Sequence, residues 1–184
     1  MLADQNCGLN ISKSEQPNIL MAIAAVERNN PTSQPLASAA LDGDWRLLFT
    51  TSASLLNLGK LPLSQLRDIY QCIRVETSSV YNIAEIQSLP YLNSLVSVVA
   101  KFQPVSEQRV QVNFVRSIAG LQNLLGYQSP AAFIEKISSG QKLMAIDFPI
   151  NSNNPNSWLD ITYLDENLRI SRGNQGSVFV LTKD

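Results

Sequence analysis

Arg109-Val110-Gln111-Val112-Asn113-Phe114 alternates polar and apolar side chains residue by residue. A period of two belongs to an extended strand with one wet face and one buried face, because successive side chains of a strand point to opposite sides. Outward from this stretch, short runs rich in Val, Ile, Thr, Tyr and Phe recur from Trp45 to the carboxyl end, separated by Gly, Pro, Asn and Ser. The reading places strands at Trp45–Thr51, Tyr70–Thr77, Val80–Gln87, Leu95–Phe102, Arg109–Ser117, Gln141–Phe148, Trp158–Leu164, Leu168–Arg172 and Ser177–Thr182. Leu164-Asp165-Glu166-Asn167-Leu168 and Gly173-Asn174-Gln175-Gly176 have the composition of tight turns, so the strands follow one another as an antiparallel meander, in a barrel or a sandwich.

Helical signals are few. Ser12 and Glu15 have the spacing of a capping box, Pro17 is tolerable in a first turn, and Ile19, Leu20, Ile23, Ala24 and Val26 form an apolar stripe that stops before Asn29-Asn30-Pro31. This amphipathic helix either covers one end of the barrel or lies on a membrane. Leu55 to Ile69, with Gly59, Pro62 and apolar Leu61, Leu63 and Leu66, interrupts the strands, as does the capped short helix of Ser129-Pro130 followed by Phe133, Ile134 and Ile137. Both are expected to act as lids or plugs. Residues 151–157 read as a polar loop, residues 1–11 carry no pattern and are expected to be flexible, and 12–184 form a single domain.

Composition narrows the function. With 45% hydrophobic and 16% charged residues in 184, the chain has the balance of a folded domain. Its net charge of −1, without a basic block, lacks the footprint of a nucleic-acid binder. The apolar stretches at 18–26 and 92–100 fall far short of the roughly 20 residues that cross a bilayer, so membrane contact is expected to be peripheral. Two cysteines, Cys7 and Cys72, make neither a disulfide framework nor a metal cluster. The absence of histidine removes the commonest general base and the commonest metal ligand, so the reading is of a protein that is not an enzyme and holds no metal or cofactor. The amino terminus has neither a signal-peptide nor a transit-peptide pattern, which predicts a trimmed chain or a cell that needs no import step.

The stretch Leu41-Asp42-Gly43-Asp44-Trp45-Arg46-Leu47-Leu48-Phe49-Thr50-Thr51-Ser52 resembles the first-strand signature of the plastid lipid-associated protein, or fibrillin, family. Residues 158–174, with Phe179-Val180-Leu181, resemble that family's terminal strands, and Asn30-Pro31-Thr32, Pro35 and the 61–71 stretch also fit. The resemblance spans roughly residues 15–182 and is weakest between about 88 and 140. It implies a mainly β fold, a lipocalin-like antiparallel β-barrel with an N-terminal helix and one or two short helices. It also implies binding or carriage of a hydrophobic small molecule (a prenyl lipid, carotenoid or quinone) at the cytoplasmic side of thylakoid membranes or at plastoglobule-like lipid droplets, in a cyanobacterial cell or a plastid. A coat on lipid particles, or docking to a prenyl diphosphate synthase in plastoquinone biosynthesis, is the alternative; a bilin-binding, lyase-like role is a third.

A barrel of about eight to ten strands leaves room for one small apolar ligand. Trp45, Phe49, Tyr70, Val112, Phe114, Tyr163, Arg169 and Arg172 are the candidate ligand-binding residues within it. In lipocalin-like barrels a Gly-x-Trp such as Gly43-Asp44-Trp45 closes one end, with an arginine of the last strands over the indole. The resemblance gives that part to Arg169 or Arg172, with Asp160 and Asp165 as their expected acidic partners. Leu55 to Leu58 and Leu121 to Tyr127 are the expected lipid-touching loops.

Overall fold

The computed structural model describes residues 6–12, 14–58, 63–88, 92–150 and 157–184. Among the described residues the strand-like runs form nine strands: β1 Gly43–Thr50, β2 Gln65–Arg74, β3 Ser79–Gln87, β4 Ser94–Pro104, β5 Arg109–Leu121, β6 Ile146–Pro149, β7 Trp158–Leu164, β8 Leu168–Gly173 and β9 Val178–Lys183. Among them lie helices α1 Gln16–Glu27, α2 Ala53–Leu58, α3 Gln122–Leu125 and α4 Pro130–Ser138. All strand pairs are antiparallel.

β1 to β5 pair in sequence, β5 then pairs β7, β8 follows, and β9 returns to β1, so eight strands close a lipocalin-like barrel. Closure leaves those eight without free edges. β6 is the ninth strand and lies outside the ring. The thirteen residues of β5 pair β4 along one side and divide the other between two strands, Arg109 to Gln111 pairing β7 and Arg116 to Ala119 pairing β6.

Chain direction defines two ends. The 75–78, 105–108 and 165–167 hairpins, the start of β1 and the end of β9 share one end, which the 3-10 turns Pro35–Ala37 and Ala39–Leu41 close with Leu36 and buried Leu41. The other end collects α2, the start of β2, the end of β3, the start of β4, the end of β5 and the turn after Gly173. Asn30-Pro31-Thr32 fastens the chain to the closed end: Asn30 Oδ1 accepts from the Leu164 amide at 3.1 Å, and the Thr32 hydroxyl donates to the Leu164 carbonyl at 2.6 Å.

The helices are not plugs. Ile19, Leu20 and Ile23 of α1 pack on Phe49, Ile170, Val178 and Val180, which face away from the barrel interior. Glu27 then bridges from α1 to Thr162 of β7 and, through both carboxylate oxygens, to Arg172 of β8. The capping box forms one turn before the helix, with Ser12 and Glu15 exchanging amide and side-chain contacts. α4 covers the outer wall of β2 to β4, where Phe133, Ile134 and Ile137 meet Cys72, Tyr81, Ile83, Leu95 and Val99. Only α2 behaves as a lid: Leu55 and Leu58 reach into the inner core from the open end.

β2 begins five residues before the expected Tyr70. Leu66 and Ile69 are three apart, which breaks strict alternation, but a register shift between them turns both into the core. Leu63 is exposed, while Gly59, Leu61 and Pro62, and positions 151–156 of the expected polar loop, lie outside the described residues. Cys7, placed by sequence in a patternless terminus, is buried, and its thiol donates to the Leu47 carbonyl at 3.5 Å.

Candidate functional site: the barrel cavity

Where the inner core stops, the barrel encloses a cavity of about 560 Å³, within the size range of single-ligand pockets. Its wall is Val98, Phe102, Val112, Phe114, Ile161 and Phe179, with their neighbours. The mouth lies at the open end, bordered by Ser52, Leu55, Trp158, Ile150 and the turn from Gly173 to Ser177. Arg169 and Gly173 both line it, four residues apart on the inner face of β8, so along that strand it extends over at least ~13 Å at ~3.3 Å per residue.

Polar groups gather near the closed end. Arg169 Nη2 donates to Gln71 Oε1 at 2.6 Å, Gln71 Nε2 donates to Asn82 Oδ1 at 3.1 Å, and Asn82 Nδ2 donates to the Val98 carbonyl at 3.2 Å. The Arg169 guanidinium sits 5.2 Å from the Trp45 ring centroid, and Lys183 Nζ sits 5.1 Å from the same centroid while donating to the Ala40 carbonyl. Trp45 is fully buried and donates through Nε1 to the Leu41 carbonyl at 3.0 Å. Gly43, at φ +130, leaves room for Lys183, whose Cε would lie 2.9 Å from an added Cβ.

Arg169 is the unusual group. It is 1% exposed, has no acidic partner among the described residues, and keeps a buried Nε with no hydrogen-bond partner. Burial pulls its guanidinium down to about 9, so it remains charged at neutral pH. The carboxylates expected beside it lie elsewhere. Asp160 holds Arg109 in a bidentate pair, and Asp165 accepts from Tyr163 and the Asn167 and Leu168 amides in its hairpin. Nucleophiles are suppressed: burial, then Asp68, push the Cys7 thiol up to about 11, and burial, then Asp44, push the Cys72 thiol higher still. Among the described residues no group of His, Cys, Asp or Glu could hold a metal.

A family model described as PAP_fibrillin matches residues 1–182. The chain belongs to the PAP_fibrillin family. It is 35% identical to the "Light-induced protein, chloroplastic" of Solanum tuberosum, over 97% of this chain and 63% of that protein. It is 34% identical to the "Chromoplast-specific carotenoid-associated protein" of Cucumis sativus, over 96% and 63%, and 35% identical to "Plastoglobulin-1, chloroplastic" of Pisum sativum, over 88% and 52%. The chain thus spans under two thirds of these relatives' length. No solved structure matches.

Within this PAP_fibrillin barrel, three of the eight candidate residues, Val112, Phe114 and Arg169, line the cavity. Trp45 faces inward but sits in the packed core toward the closed end. Phe49 and Tyr163 follow register shifts, after Leu47 and Ile161, that turn them to the outer wall beneath α1. Tyr70 alternates outward with Cys72 toward α4, and Arg172 alternates outward to Glu27. Gln71 and Asn82 escaped the sequence reading. Their signal, two polar residues inside apolar strands, is readable only once the register sets them opposite each other.

Proposed function

We propose that this protein holds the apolar part of an isoprenoid or similar lipid in its barrel without catalysing a reaction, and does so at the surface of a lipid particle or thylakoid membrane. The mouth-bearing, apolar cavity is the observation that carries this reading. Each methylene moved from water into such a wall contributes ~0.8 kcal/mol, so a few carbons suffice for useful affinity. The relatives' names, a carotenoid-associated protein and a plastoglobulin, agree with it.

The surface supports a docked orientation. Of the exposed large apolar side chains, Leu63, Leu92, Leu124, Met144, Ile146 and Phe148 all belong to segments at or beside the open end. Asp147, the single charge of β6, is neutralised by a bidentate contact from Arg116. Leu55 faces the cavity and Leu125 is buried, so of the two loops expected to touch lipid Leu124 is the best exposed large apolar side chain. Clustered apolar exposure marks an interaction surface. Among the described residues no helix is long and apolar enough to cross a membrane.

The experiment is extraction of the protein from membranes of a photosynthetic host, mass spectrometry of bound lipid, and titration with a prenyl quinone read by quenching of Trp158 at the mouth. Saturable quenching is expected, weakened about tenfold or more when Val98→Phe and Val112→Phe fill the cavity. An empty protein whose fluorescence ignores every lipid offered would overturn the proposal.

A further inference from the structure

Arg169 raises a question that apolar burial does not answer. A charge removed from water without a counter-charge costs several kcal/mol, and buried arginines are ordinarily paired with carboxylates. Here Gln71 and the face of Trp45 are its partners, and both are neutral. Its Nε is buried and unpartnered, and the Ser171 hydroxyl, two residues along the same inner face of β8, is buried and unpartnered too. Such groups call for an explanation.

We propose that Arg169 is the anchor for a monoanionic lipid, a long-chain carboxylic acid that enters the barrel head first and leaves its tail along the apolar wall. This rests on the reading of the cavity as a lipid site and names the class of lipid. The charge count selects one negative charge. Among the described residues Arg169 is the cation lining the cavity, while Lys183 Nζ is held by the Ala40 carbonyl and the Trp45 face. A carboxylate, planar and with two acceptor oxygens, fits the edge of a guanidinium, whereas a diphosphate would bring more charge than this floor offsets. The chain Arg169, Gln71, Asn82, Val98 carbonyl fixes the guanidinium through Nη2 and leaves Nε unspent.

The test compares a fatty acid with the alcohol and methyl ester of equal chain length, by calorimetry on the full chain. The acid is expected to bind at least tenfold more tightly than either neutral lipid. Arg169→Met should abolish that preference while neutral binding persists. Gln71→Glu supplies the missing carboxylate from within, and should likewise erase the preference while raising the melting temperature, which keeps the test open if Arg169→Met does not fold. Equal affinity for acid and alcohol in the unsubstituted protein, or an acid preference that survives Gln71→Glu, sinks the anchor alone. Binding of none of the three sinks the cavity reading with it.

Discussion

At the scale of single residues, the closed end is built around Trp45. The indole is held by its bond to the Leu41 carbonyl and flanked by two cations, Arg169 and Lys183. Lys183 can reach it because Gly43 has no side chain. Gly43→Ala therefore forces both a positive φ on a residue with Cβ and a displacement of Lys183, and is expected to destabilise the fold by ~1–3 kcal/mol in urea titration. Restoring space by a further Lys183→Ala should recover only the part of that loss due to the clash. On the outer wall, Phe133 is fully buried and meets Tyr127 edge-on at 5.7 Å, with the Tyr127 hydroxyl donating to Glu85. Phe133→Ala should cost ~3–5 kcal/mol by the same titration, because it empties the seat of α4.

At the scale of elements, α1 is held on the barrel by the packing of Ile19, Leu20 and Ile23 and by the Glu27 carboxylate. Burial by itself would raise the pKa of Glu27, but the Arg172 guanidinium and the Thr162 hydroxyl outweigh it and hold the group below its ordinary value. A depressed carboxylate stabilises the fold above its unfolded pKa of ~4.3, and that contribution is lost as pH falls through the folded value. Hydrogen exchange in α1 should accordingly rise as pH falls below the ordinary carboxylate range, while Glu27→Gln should give the loosened helix at pH 7, at ~1 kcal/mol, and remove the pH step. An α1 equally protected in both proteins at both pH values would contradict this role. Elements were well marked in the sequence: eight of the nine expected strands and the hairpin at Asp165 are present nearly as read, since alternation and turn chemistry are local properties, whereas the expected Gln141–Phe148 shrinks to the four-residue β6, which starts only at Ile146. What was hidden is the face each residue shows. Phe49 and Tyr163, candidates for the barrel interior, face outward because register shifts follow Leu47 and Ile161, and such shifts depend on partner strands, which a single sequence does not register. Of the two candidate arginines, Arg169 lies over the Trp45 face, whereas Arg172 alternates outward to Glu27.

At the scale of the whole molecule, the cavity mouth shares one end with six of the ten exposed large apolar side chains among the described residues, whereas Val75 and Val105 lie at the closed end and Met21 and Val26 on α1. Ile150 lines the cavity two residues after exposed Phe148, so a surface that receives β6 sits beside the route by which a lipid would enter. Replacing Met144, Ile146 and Phe148 by serine removes exposed apolar area at ~25 cal/mol per Å², without touching the wall of the pocket. These positions are 70%, 68% and 50% exposed, so the fold should change by no more than ~0.5 kcal/mol per site. Flotation with neutral lipid droplets should then fall severalfold while affinity for a dispersed short-chain lipid is unchanged, and the cavity-filled Val98→Phe, Val112→Phe protein should behave in the opposite way. If the serine variant floats as well as the parent, the open end is not the docking face, and the mouth must exchange lipid with solvent rather than directly with a particle.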